Sequence, residues 1–280
     1  MREWLAELVS RHDLSGKAAM LCRFLEANPQ TASYASAGEI ARQTGVNVAT
    51  VIRLAQHLGF QGWPAFQSEL RHHFLSTLPP HESVTLSQSS VQGSPLAASL
   101  RRDAENLQLA LSTVDEDAVE ATAAAIERSN RTLVIASGSY AIVGHTLTHI
   151  GSVMGFPITM EQRGGPHLAA ALGELGQDDC AVVISFWRLL RETVVAAQLA
   201  KSNGATVCAV TDTISSPLAE HAAHVMVVPT EGLLSFQSMT APISVMYGLL
   251  ARLHSLRPER ATNAMRRVEE HWDALDVLHS

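Results

Sequence analysis

Five short apolar runs, spaced by helix-length segments, constrain this chain more than any other feature. They are "TLVIAS" (132–137), "FPITM" (156–160), "AVVIS" (181–185), "TVCAV" (206–210) and "HVMVV" (224–228). Each is continuously apolar instead of alternating, so each must be covered on both faces. Parallel strands joined by helical crossovers satisfy that need. The pattern predicts a five-stranded parallel sheet with helices on both faces and the flavodoxin-like strand order 2-1-3-4-5. Two helices precede the sheet, "LAASLRRDAENLQLALSTV" and "DEDAVEATAAAIERS", with Asp115 as N-cap of the second. A short helix is expected at "SSPLA" (215–219), and Thr193 is expected to begin the helix after the third strand. A long buried helix, "LSFQSMTAPISVMYGLLARLHSL", and a polar one, "PERATNAMRRVEEHWDALDVL", follow the fifth strand.

Ahead of this α/β part, residues 1–77 read as helix throughout. Leu21, Phe24 and Leu25 share one helix face, Asn28-Pro29 ends that helix, and His72-His73 reads as an exposed helix surface. Between the two parts lies "LPPHESVTLSQSSVQGSP" (78–95), rich in Ser, Pro, Gln and Gly and without a period. The expected organisation is an all-α domain at 1–77, a linker at 78–95 and an α/β domain at 96–280. Charge divides the same way. Residues 1–78 carry seven Lys/Arg against six Asp/Glu (+1), and the remainder thirteen against twenty-one (−8). The net charge of −7 argues against a uniformly basic, polyanion-coating protein.

"GEIARQTGVNVATVIRLAQHLGF" (38–60) has the form of a helix-turn-helix. Ala41 is small where the helices cross, and Gly45 tolerates the positive φ of the turn. Asn47 suits the N-cap of the second helix, which Val46, Val51 and Leu54 pack onto the first. The outward face then carries Asn47, Val48, Ala49, Thr50, Arg53 and Gln56. Such a helix enters the major groove by its N-terminal half. Arg53 suits guanine or a phosphate, Gln56 adenine, Asn47 and Thr50 phosphate, and Val48 and Ala49 thymine methyls. The alternative is a plain αα-hairpin. Because the region has so few cations, DNA binding predicts two or four copies, a homodimer or homotetramer on a palindromic site.

In the predicted strand order, strands one and three are neighbours whose connections leave in opposite directions. Their C-terminal ends open the crevice where ligands bind in such sheets. "LVIASGSYAIVGH" (133–145) brings Gly138, Ser139 and Tyr140 there, and "AVVISFWRLLRET" (181–193) brings Ser185, Arg188, Arg191 and Thr193. Asp212 closes the fourth strand. Helix N-termini among small residues favour anions. Arg191, a cation in a first helical turn, opposes the macrodipole and suggests charge kept for an anionic ligand; the alternative is a solvent-facing arginine. Phe186 and Trp187 read as packing first and as a sugar-stacking surface second. Neither a P-loop nor GxGxxG is present, so no nucleotide cofactor is expected.

Glu161, Glu231, His167 and His221 lie near strand ends or loops, but no spacing fixes a base–nucleophile pair, and no HExxH metal signature appears. No enzyme, cofactor or metal is therefore expected. Cys22, Cys180 and Cys208 form no CxxC pair and read as buried thiols. The N-terminus lacks an apolar signal-peptide core and no run is long enough to span a membrane, so a cytoplasmic protein is expected.

Both parts together resemble the RpiR (MurR/RpiR) transcriptional regulators over nearly the whole chain. Thr50-Val51-Ile52-Arg53 and Leu58–Gly62 are similar to that family's DNA-binding signature, and "ASGSYA", "SFWRLLRET", "AKSNGATVCAVTD" and "SPLAEHA" fall in order as loops of its sugar isomerase (SIS) domain. The resemblance implies a regulator whose SIS domain senses a phosphosugar without catalysis. The family's sensing loop approximates S-x-S-G-x-T. Ser185 and Thr193 match its ends, Trp187-Arg188 replaces the inner Ser-Gly, and the loop is longer. The implied effector is a small anionic metabolite, a phosphosugar or a sugar acid. A phosphosugar isomerase with a helical cap, with Glu231 as base, and a SIS domain serving only for dimerisation are the alternatives.

Overall fold

The computed structural model describes residues 1–78, 93–187, 189–233 and 236–277. Most of the expected linker, and Arg188, lie outside them. The chain divides into two compact units, Met1–Arg102 with Gly232–Phe236, and Asp103–Glu231 with Gln237–Ser280.

In the first unit, α1 (Arg2–Ser10), α2 (Gly16–Ala27), α3 (Pro29–Tyr34), α4 (Ala37–Thr44), α5 (Val48–His57) and α6 (Trp63–Ser76) enclose Leu5, Leu21, Leu25, Ile40, Val51, Leu54, Phe66 and Leu70. The short α3 leaves terminal carbonyls that its own backbone cannot satisfy. α6 supplies the donors: Trp63 Nε1 and Gln67 Nε2 donate to the Ala35 carbonyl at 3.2 and 2.5 Å, and Arg71 Nε donates to that of Ser33 at 2.7 Å. His73 corrects the expectation of a surface pair. It is half-buried, its ring stacked on Trp4 at 4.3 Å.

Two helices open the α/β part: α7 (Pro95–Thr113), inside which the unit boundary falls, and α8 (Glu116–Arg128). Asp115 caps α8, accepting from the Asp117 amide at 3.0 Å. The strands β1 (Thr132–Ile135), β2 (Ile158–Glu161), β3 (Cys180–Ile184), β4 (Thr206–Thr211) and β5 (His224–Val227) form one parallel sheet in the order β2-β1-β3-β4-β5. The crossovers use α9 (Ala141–Val153), α10 (Gly165–Gly173) and α11 (Arg191–Ser202); α12 (Thr240–Leu256) and α13 (Pro258–Ala274) follow. Alternate residues of buried β3 serve two cores. Cys180, Val182 and Ile184 pack with α8, α9 and α12, while Ala181 and Val183 pack with α10 and α11. This two-sided covering is why the strands read as continuous apolar runs.

Local differences from expectation have local causes. Residues 215–219 form turns, not a helix, because hydroxyls capture the backbone: Ser215 N donates to Thr213 Oγ1 at 3.1 Å and Leu218 N to Ser216 Oγ at 3.3 Å. α11 begins at Arg191, two residues ahead of Thr193, and the helix after β5 begins only at Thr240. Cys180 and Cys208 are buried on one sheet face with sulfurs 4.0 Å apart. Among the described residues no helix is long and apolar enough to cross a membrane.

Candidate DNA-reading helix and effector crevice

α4 and α5 are bounded by side-chain caps. Ser36 Oγ accepts from the Glu39 amide at 3.2 Å. Gly45 ends α4 in the left-handed region (φ 69°), and Asn47 Oδ1 accepts from the Ala49 amide at 2.9 Å to start α5. Val51, Leu54 and Ala55 are buried against the unit. Asn47, Val48, Ala49, Arg53 and Gln56 are exposed and Thr50 is half-buried. The six residues therefore lie along the side of α5 away from its core. Ile52, 38% exposed, joins them. Sequence reasoning passed over it, although its place one turn after Val48 puts both on the same stripe.

At the C-terminal edge of the sheet, Gly138–Tyr140 form a 3-10 turn after β1, with Gly138 and Ser139 exposed. Tyr140 packs edge-to-face on fully buried Phe186, with ring centroids 5.4 Å apart. Trp187 has a left-handed backbone (φ 52°), uncommon for a bulky residue and of a kind that gathers at functional sites. Its amide donates to both carboxylate oxygens of Asp212, at 3.0 and 2.9 Å. Burial, and after it the Asp212 charge, pushes the Tyr140 phenol up to about 12. Thr230, beyond β5, donates to Gln237 Oε1 at 2.9 Å and approaches Asp212 Oδ2 at 3.4 Å.

Tyr140 is thus linked to Asp212 through Phe186 and Trp187, and Asp212 through Thr230 to Gln237. Ser185 and Thr193 are buried at the end of β3 and in the first turn of α11, and Arg191 is exposed at the start of α11. Arg188 lies outside the described residues. Sequence reasoning missed Thr230 and Gln237, since no motif marks the β5–α12 connection; only the general position of ligands beyond strand ends pointed there.

Carboxylates hold two neighbouring loops. Glu161, buried at the end of β2, accepts from Arg163 N, Nε and Nη2 at 2.7, 3.2 and 2.7 Å, and those bonds hold its carboxyl below the usual range. Glu192 Oε2 accepts from the Gly165 amide at 3.2 Å, at the N-terminus of α10. Among the described residues no group of three or more His, Cys, Asp or Glu side chains is placed to hold a metal ion.

Comparison with known proteins agrees with this architecture. The helix-turn-helix domain of the rpiR family matches residues 10–77, and the SIS domain matches residues 125–252. The crystal structure of an RpiR transcription factor from Sphaerobacter thermophilus (sugar isomerase domain) is 33% identical, with a TM-score of 0.62 over 64% of this chain and 99% of that one. The Vibrio vulnificus NanR protein complexed with ManNAc-6P shares the fold at 22% identity, with a TM-score of 0.63 over 97% and 98% of the two chains. An uncharacterized HTH-type transcriptional regulator of Haemophilus influenzae is 26% identical over 211 residues, 71% of this chain and 70% of that protein. A helix-turn-helix unit followed by a SIS domain defines a DNA-binding transcriptional regulator. Within that class, the chain belongs to the RpiR family.

Proposed function

We propose that α5 reads a palindromic operator in a homodimer or homotetramer, and that the crevice between β1, β3 and β4 binds a small anionic metabolite, a phosphosugar or a sugar acid, without turning it over. Residues 1–77 form the reading domain, 78–95 the linker and 96–280 the sensing domain. The observation that carries this reading is the capped, outward-facing α5, with Arg53 and Gln56 exposed beside Val48 and Ala49. An exposed basic and amide-bearing helix face matches base-edge chemistry, whereas a packing hairpin has no use for it.

The ligand complex of NanR supports a phosphosugar-sized ligand for the crevice. Tyr140, backed by buried Phe186, and Trp187 suit the apolar face of a sugar ring, and Ser139, Ser185 and Thr193 supply hydroxyls. The ligand must bind two arrangements of the protein unequally, because equal affinity shifts nothing however tight it is.

Arg53→Ala tests the reading half. It should cost about 1–3 kcal/mol of operator affinity and relax sequence preference at one base pair, measured by anisotropy against specific and scrambled duplexes. Unchanged affinity and selectivity would remove α5 from the interface.

A further inference from the structure

α7 is tied to the crevice by two residues that no sequence pattern marks. Asp103 is the first residue of the second unit, and its carboxylate reaches the connection between β5 and α12. Ser238 Oγ donates to Asp103 Oδ1 at 2.5 Å, and Thr240 Oγ1 donates to Oδ2 at 2.9 Å. One turn further along α7, buried Asn106 donates from Nδ2 to the Glu231 carbonyl at 2.8 Å. The two side chains therefore grip both ends of one connection.

The same connection is pinned to the crevice. Ser238 N donates to the Thr230 carbonyl at 2.8 Å and closes its base. The Thr230 hydroxyl donates to Gln237 and approaches Asp212, whose oxygens accept from Trp187 N. A continuous run of hydrogen bonds thus leads from Trp187 at the end of β3 to Asp103 on α7.

Local preference does not account for the two α7 residues. Asp and Asn are poor helix formers, and a buried amide is costly unless it is bonded. Their tertiary partners do account for them. Through the Thr240 hydroxyl the Asp103 carboxylate is held beside the first residue of α12, the end where the dipole favours negative charge.

We propose that Asp103 and Asn106 are the positioning residues that carry crevice occupancy to α7. A ligand that displaces Trp187, Asp212 or Thr230 shifts Ser238 and Glu231, and with them the turn of α7 at the unit boundary. The signalling role rests on the effector reading above; the mechanical link does not.

Two measurements on the full chain separate these. In the first, without ligand, amide hydrogen exchange is followed in wild type, Asp103→Ala and Thr230→Val. Thr230→Val should speed exchange in α7 after residue 103, and Asp103→Ala should speed it at 229–233 and 236–240, each by about tenfold, the scale of losing a charge-assisted hydrogen bond. Faster exchange confined to the substituted segment overturns the link. In the second, operator affinity is measured with and without ManNAc-6P and a panel of other sugar phosphates and sugar acids. Asp103→Ala should bind the active probe about as wild type does yet lose most of the operator shift, and Asp103→Asn, which keeps an acceptor, should restore part of it. An undiminished shift in Asp103→Ala overturns the signalling role. A wild type that binds no probe overturns the effector reading, and with it the signalling role, while the exchange result still decides the link.

Discussion

Two left-handed glycines should respond very differently to the same substitution. Gly45 (φ 69°) ends α4 at the turn of the helix-turn-helix, and a Cβ added there meets nothing within 4 Å. Gly45→Ala therefore costs only the backbone preference, about 1 kcal/mol. Gly155 (φ 81°) follows α9, and its added Cβ would lie 2.7 Å from the Cβ of Ala264 on α13. Ala264 is buried and its Cβ cannot rotate away, so a helix must shift. Overpacking of this kind adds about 1–3 kcal/mol, making roughly 2–4 kcal/mol for Gly155→Ala. Urea unfolding followed by tryptophan fluorescence distinguishes the two. Trp4 and Trp63 report on the first unit, and Trp187 and Trp272 on the second. With each midpoint change converted by its own slope, the second-unit loss in Gly155→Ala should be at least twice the first-unit loss in Gly45→Ala. Equal losses, or a larger one at Gly45, would refute the assignment of strain alone to the turn and strain plus collision to Gly155.

Further outcomes follow from burial. Tyr140 should ionise at about 12, above the ordinary phenol value of about 10. Because the folded value is the raised one, its contribution to stability is complete below pH 10 and is lost as pH climbs from 10 towards 12. An ultraviolet phenolate titration of wild type minus Tyr140→Phe checks this, and a difference midpoint near 10 would contradict it. Cys22, Cys180 and Cys208 are all buried, and burial pushes the Cys22 thiol up to about 11. An aromatic disulfide reagent should therefore label all three rapidly only after denaturation; a native thiol reacting at the free rate would contradict the packing.

The sheet was legible because its physics is local in sequence. Runs such as Ala181–Ser185 must be covered on both faces, and the helix-length gaps between them allow little besides parallel crossovers. The helix-turn-helix was legible for a similar reason: Ala41, Gly45, Asn47 and Val51 each answer a demand made within a few residues. At the C-terminal edge of the sheet, the placement of strand-end residues was legible but their bonding was not. Sheet topology brings Tyr140, Ser185 and Asp212 to one edge, but the left-handed backbone of Trp187 and the bond from its amide to Asp212 depend on residues 25 positions apart. Thr230, Gln237, Asp103 and Asn106 escaped notice because their partners are set by tertiary packing, across as many as 137 positions. The segment 215–219 was misread because Thr213 and Ser216 compete for backbone amides that a helix would need.

Fluorescence anisotropy of the chain on DNA decides whether it is an operator reader that a metabolite controls. It would use duplexes from upstream of the protein's own and neighbouring genes, at fixed salt, with and without ManNAc-6P and a panel of sugar phosphates and sugar acids. The account predicts saturable, sequence-selective binding whose affinity one compound shifts by roughly 5–150-fold, the range of allosteric coupling. Selective binding that no member of the panel shifts would contradict the sensing half, and the absence of selective binding to any fragment would contradict the reading half.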